Sequence, residues 1–380
     1  MYQFAFTHGS GKTQPRGSAL TDNHVFWIED NIDFQHIQTI FANYGKPKYI
    51  INDHVIDFYQ DLDGIKIFSL PLFLEREMKK FSNTQFTNKI STVDCFNFIV
   101  NKKQINRFLL IKLVEYFQLH TNHYTFSGVD YSFDLSEIIN ELNELQLQGH
   151  ALINDQEQMH KFRHEIFSKI TTEKRFIDFP GQQEKPGSQI IGYGGTGHNG
   201  NVKTWQIGLD QVFQNTAVSL ISESTAFNKS SIVTEKTAYA ILGLTFPIWI
   251  GGYGHAASWK RAGFDIFEDV VNHDYQFKPT LIERCYYAIH DNIKLLTNLD
   301  HVTKLRNQCH DRLLNTRALL LNGQLTTHCY NEIDIWPEEI SKTIKKLLPA
   351  LESKDTDHDL KIAFPNHYSY FDFWRLRQTK

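Results

Sequence analysis

Cysteine, methionine and proline are scarce in this chain of 380 residues, at four, three and ten. No two of the cysteines (Cys95, Cys285, Cys309, Cys329) form a Cys-x-x-Cys pair, and the adjacent pairs Cys309-His310 and His328-Cys329 lack the spacing by which metal ligands converge. The expectation is no metal site and four free thiols, which suits a reducing cytosol. An excess of positive charge is also missing. Lys and Arg number 39 against 43 Asp and Glu, a net −4, which speaks against a protein built for nonspecific nucleic-acid binding. There is no long apolar run near Met1 to serve as a secretion signal. The most apolar window, residues 238–252, is too short and interrupted to span a bilayer. Internal repeats and low-complexity tracts are absent as well, so the chain reads as cytoplasmic.

What is present fits an α/β protein. The length is comfortable for two domains. Aromatics are abundant at 13%; buried rings of an α/β core account for them better than a ring-lined cleft. Over the first ninety or so residues, strand patterns at 1–6, 24–29, 48–53 and 65–71 alternate with helix patterns at 34–45 and 72–81, which implies a parallel sheet covered by helices. The polar segment 82–92 reads as an inter-domain link. A second alternating set begins with a strand at 94–100 and an amphipathic helix at 105–119, and residues 135–149 read as a helix with Ser136 as its N-cap. Residues 180–201, rich in Gly, Pro and Gln, form a long loop. Strong helices follow at 277–296, 300–321 and 337–353.

Two nucleotide motifs are decoys. Gly9-Ser10-Gly11-Lys12-Thr13 follows a strand, but Phe6 stands where a phosphate loop needs its first glycine and no helix pattern follows. Gly192, Gly194 and Gly197 match the spacing of a dinucleotide fingerprint, again with no helix opening there. At the C-terminus, aromatics mixed with Arg375, Arg377 and Lys380 allow peripheral contact with a membrane surface, although docking of a terminal helix on the first domain is the better reading.

The segment that proposes a chemistry is 217–252. It reads as a buried strand ending at Glu223, a polar loop, a helix opened by Thr234-Glu235-Lys236, and a second apolar strand ending in Gly251-Gly252. A helix start offers orphan amides and the positive end of a dipole to an anion. A carboxylate there can accept both hydroxyls of a ribose while a lysine faces a diphosphate. A solvated ion pair behind a plain threonine cap explains the same residues equally well.

The wider pattern resembles the α1,3-fucosyltransferase family and related viral and bacterial glycosyltransferase-like proteins. It is carried by Ile221-Ser222-Glu223-Ser224, Val233-Thr234-Glu235-Lys236, Phe246-Pro247-Ile248 and Gly251-Gly252, and upstream by a strand followed by Asn101 and, six residues on, Arg107. The resemblance covers roughly residues 96–275. The chain departs from it between Glu223 and Glu235, where the loop is longer and carries Phe227, Lys229, Ser230 and Ser231 in place of a Gly-Tyr element.

The resemblance implies a GT-B-like fold, two Rossmann-like domains facing a cleft. Residues 1–92 would be the acceptor side, with a C-terminal helix at about 350–380 packing back on it. Residues 93–349 would bind the nucleotide-sugar through Asn101, Arg107, Glu223, Thr234, Glu235 and Lys236. The implied reaction is metal-independent and inverting, with no cofactor beyond the donor. Its catalytic base would be a carboxylate at a strand end of the first domain: Glu29 or Asp30, otherwise Asp53, with His8 and His54 behind them. Three functions stay open. They are transfer from a GDP-fucose-like donor to a glycan, transfer to hydroxymethylated DNA bases on the same fold, and nucleotide binding without catalysis. Lys46, Lys48, Lys79, Lys80, Lys102 and Lys103 bear on the DNA alternative.

Overall fold

The computed structural model describes residues 3–8 and 24–29, most of 41–125, and 205–345 apart from short stretches. The helix expected at 135–149, the glycine-rich loop at 180–201 and the tail at 350–380 lie outside the described residues. Of the helix expected at 34–45, only the helical Phe41 and Ala42 are described. It ends at Gly45, whose φ of 92° suits a residue without a Cβ and whose N–H returns to the Phe41 carbonyl at 2.9 Å.

The fold is mixed α/β with two small parallel sheets. The first five strands are β1 (Gln3–His8), β2 (His24–Glu29), β3 (Tyr49–Asn52), β4 (Val55–Phe58) and β5 (Lys66–Ser69). All but β4 make a parallel sheet in the order β1-β2-β3-β5. The next five are β6 (Asp94–Ile99), β7 (His123–Thr125), β8 (Thr216–Ser222), β9 (Ser230–Ile232) and β10 (Phe246–Ile250). All but β9 make a second parallel sheet in the order β10-β8-β6-β7. The strands left over, β4 and β9, pair with each other antiparallel.

The second sheet is covered on both faces, and its sequence shows why. Every residue of β8 and β10 is buried, as expected of parallel strands sandwiched between helices. Along them, Val218, Leu220, Ile248 and Ile250 join one core cluster while Ile221 and Trp249 join the other. The early helices are α1 (Leu72–Lys80), α2 (Ile105–Tyr116), α3 (Asp210–Gln214) and α4 (Glu235–Leu242). Leu109, Leu110, Leu113 and Val114 of α2 fill the first cluster, and Ala238, Ile241 and Leu242 of α4 fill the second. Full burial of each such Leu or Ile is worth roughly 1.5–3 kcal/mol. Although α1 directly follows β5, its Leu74 and Met78 pack in the second sheet's core, and Phe81 meets Trp205 and Tyr239 edge-on there.

The helices that follow β10 are α5 (His255–Arg261), α6 (Leu281–His290), α7 (Ile293–Thr297), α8 (Leu299–Gln308), α9 (His310–Leu321) and α10 (Gln324–Asp334). Two runs that read as continuous helices are broken. Between α6 and α7, Asn292 donates to the Asn272 and Ala288 carbonyls and accepts from Asn272 N–H, which bends the chain onto its neighbour. Between α8 and α9, Cys309 turns at φ −94°, ψ 7°.

The polar segment before β6 is strapped down. Arg306 of α8 reaches Thr92 Oγ1 at 3.2 Å, His310 donates to the Asn88 carbonyl at 2.8 Å, and Arg317 of α9 donates to the Thr87 carbonyl at 2.9 Å and to Asn88. The same Arg306 guanidinium serves the carbonyls of Phe213, Gln214, Gly243 and Leu244. One cation thereby caps the C-terminal ends of both α3 and α4. At the far end of the helical array, the Trp336 ring packs on Phe68 of β5 with centroids 4.0 Å apart.

Candidate functional site at the sheet switch point

β6 continues through α2 to β7 on one side of the sheet, whereas β8 continues through β9 and α4 to β10 on the other. The chain therefore diverges between neighbouring strands β6 and β8. In an open parallel sheet this leaves a crevice at the carboxyl ends of the diverging strands, where ligands bind. The N-termini of α2 and α4 both open onto it. Arg107 sits in the first turn of α2 and is fully buried. Its neighbour Asn106, also fully buried, donates through Nδ2 to Ser222 Oγ at 2.6 Å and to the Glu223 carbonyl at 2.7 Å.

On the other side, the sequence dictates a helix start. Thr234 is extended (φ −124°, ψ 174°) and its hydroxyl accepts from Lys236 N–H at 3.3 Å, the bond of an N-cap. Glu235 in the first turn favours the dipole, and Ala238 and Ala240 propagate the helix. The cap is itself held. Fully buried Glu223 accepts from Thr234 N–H at 3.1 Å and from its hydroxyl at 2.6 Å, while its own N–H donates to the Ile250 carbonyl at 2.9 Å. Lys236 Nζ pairs with Glu235 Oε1 at 2.5 Å, the side chains 13% and 15% exposed.

Burial raises the Glu223 carboxyl above the usual range, against the opposing pull of Thr234 and Lys236. Burial would raise Glu235 as well, but Lys236, its own backbone N–H and Arg107 outweigh it, and the carboxyl is held below its ordinary value. That influence places Arg107 within electrostatic reach of the Glu235–Lys236 pair. Two cations, Arg107 and Lys236, and one low-pKa carboxylate, Glu235, lie within electrostatic reach of one another at the carboxyl edge of the second sheet, a charge set suited to a polyanion.

Of the residues singled out in the sequence, Arg107, Glu223, Thr234, Glu235 and Lys236 meet here. Glu29 closes β2, opposite His8 in the strand register, at the carboxyl edge of the first sheet. Asp30, Asp53, His54 and Asn101 lie outside the described residues. The β4–β9 ribbon pairs Val55 with Ile232 and Phe58 with Ser230, so the chain leaving β3 runs against the strand that delivers Thr234. Sequence reasoning gave no role to Asn106, and named Ser222 only as part of the motif around Glu223. Their only signal is a polar residue where the helix pattern and the strand pattern each demand a buried one.

Among the described residues no group of three or more His, Cys, Asp or Glu is placed to hold a metal, and no helix is long and apolar enough to cross a membrane. All four cysteines are buried free thiols. Comparison with family models, with curated proteins and with solved structures gave no match for this chain.

Proposed function

We propose that the protein is a metal-independent glycosyltransferase that moves a sugar from a nucleotide-diphosphate donor, GDP-fucose-like by resemblance, to a hydroxyl of a glycan. The architecture proposed is GT-B-like. The observation that carries the reading is the convergence of Arg107, Glu235 and Lys236 at the crevice between β6 and β8.

In the proposed reaction the acceptor oxygen attacks the anomeric carbon, and the bond from that carbon to the diphosphate oxygen breaks with inversion. Negative charge grows on the leaving diphosphate, where a guanidinium and an ammonium at a helix N-terminus stabilise it. In this reading Glu235 accepts from the ribose hydroxyls. Glu223 holds the Thr234 cap and so aims the amides of α4. A carboxylate takes the acceptor proton. Glu29, at the carboxyl end of β2, is the described candidate.

Titration calorimetry of the protein with GDP, UDP, CDP and TDP tests the reading. One of them should bind, and Arg107→Ala and Lys236→Ala should each weaken it by about 30-fold or more, the scale of removing one partner of a charged contact. Wild-type-like binding by both variants overturns the assignment.

A further inference from the structure

We infer that Asn106 is a positioning residue that fixes the Arg107 guanidinium relative to the Glu235–Lys236 pair. The inference rests on the donor-site reading above. Asn106 ties the first turn of α2 to the end of β8 across the crevice, through Ser222 Oγ at 2.6 Å and the Glu223 carbonyl at 2.7 Å. A carbonyl can only accept, so the amide nitrogen is the atom that faces β8.

The second partner matters most. Glu223 is the residue whose carboxylate holds the Thr234 cap at 3.1 and 2.6 Å and whose N–H is bonded to β10. One hydrogen-bonded frame thus runs from Asn106 through Glu223 to Thr234 and the N-terminus of α4. Arg107 is joined to that frame by a single peptide bond, and Lys236 stands two residues past Thr234. The cations on the two sides of the crevice share one support.

Packing alone does not account for an asparagine here. Past Arg107, the core-facing positions of α2, Leu109, Leu110 and Leu113 among them, are apolar, and an apolar side chain would fill the space. Instead the fold buries an amide whose Oδ1 has no partner among the described residues. A buried acceptor left unmatched is unfavourable. It is retained together with two short N–H bonds that reach the opposite wall of the site.

The test is a double-mutant cycle read by calorimetry with GDP, UDP, CDP and TDP and their nucleosides. Asn106→Ala should weaken the diphosphate that binds by about tenfold, with little effect on its nucleoside. In the Arg107→Ala background the same change should cost less than about twofold, because the group it positions is gone. Ser222→Ala, which keeps the bond to Glu223, should cost about two- to threefold with the same non-additivity, and it decides the matter if Asn106→Ala does not fold. Additive losses, or equal losses for diphosphate and nucleoside, overturn the role of Asn106 and leave the donor site standing. A wild-type protein that binds none of the four diphosphates overturns both.

Discussion

Replacing Arg306 with methionine keeps the apolar stem and removes every donor of a fully buried guanidinium. The structure gives three strong bonds to lose: Nε to the Leu244 carbonyl at 3.0 Å, and Nη1 and Nη2 to the Gln214 and Phe213 carbonyls, both at 2.8 Å. Two weaker ones go to Thr92 Oγ1 at 3.2 Å and the Gly243 carbonyl at 3.4 Å. The Gln214 carbonyl keeps Ser91 N–H as a donor at 3.1 Å, whereas the Phe213 and Leu244 carbonyls lose their side-chain donor, and a buried carbonyl left unmatched costs about 1–3 kcal/mol. Against that total stands the relief of no longer desolvating a cation, several kcal/mol. The net expectation is a loss of about 3 kcal/mol. Lysine offers a point charge without the planar fork, so Arg306→Lys should recover less than half of it. Urea unfolding followed by tryptophan fluorescence reports on this core directly, since Trp205, Trp249 and Trp259 lie in it. At a slope of about 3 kcal/mol/M the midpoint should fall by about 1 M with the slope unchanged. A midpoint within about 0.2 M of wild type for Arg306→Met would refute the claim that this cation holds the ends of α3 and α4 together.

Three other outcomes follow from the same structure. His255 accepts from Trp259 Nε1 at 3.3 Å and His273 donates to the Ile266 carbonyl at 2.8 Å; burial depresses them to about 3 and about 4. The unfolded chain takes up these protons near pH 6.5 while the fold refuses them. Their contribution is therefore complete above that pH and should fall by about 2.7 kcal/mol per pH unit between about 6 and 4, measurable as urea midpoints across pH and flattened in His273→Gln. A Cβ on Gly251 would lie 2.6 Å from the His255 ring, and one on Gly243 would lie 2.4 Å from Phe213 Cβ. Gly251→Ala and Gly243→Ala should each lose about 1–3 kcal/mol in thermal or urea unfolding. Glu223→Ala frees the Thr234 cap and should cost about 1–2 kcal/mol together with diphosphate affinity. Glu223→Gln keeps one acceptor and should retain most of both in the same assays.

The elements that carry Glu223, Thr234, Glu235 and Lys236 were readable because their signals are local. A fully apolar strand, a Thr-Glu-Lys start and a second apolar strand lie within one stretch of chain, and β8, α4 and β10 form where those patterns predict. Arg107 was readable as a first-turn residue, but its burial was not, since an isolated helix pattern does not reveal what packs over its N-terminus. The contact between Asn106 and Ser222 was missed because a polar residue at a core position gives no sign of its partner, which here lies on a strand far along the chain. The β4–β9 pairing escaped for a similar reason. Short strands carry little periodicity, and their partners are set by how the two sheets lie. The segment before β6 looked like a linker because it is polar. Its polar groups are matched by cations from α8 and α9, whose charges read as ordinary surface residues.

That matching decides how the molecule can be taken apart. A fragment begun at residue 93 would lack Thr87, Asn88 and Thr92, leaving Arg317 with only its bond to the Leu242 carbonyl among the described residues and Arg306 without Thr92 Oγ1. It would also lose Leu74, Met78 and Phe81 from the core they share with Trp205 and Tyr239. A cut just after β5, near Leu70 and Pro71, keeps α1 and the strapped segment with the helices that hold them. For expression of the half that carries the second sheet alone, the gene should be divided there, and a protease should find residues 83–93 hard to cleave despite their polar composition.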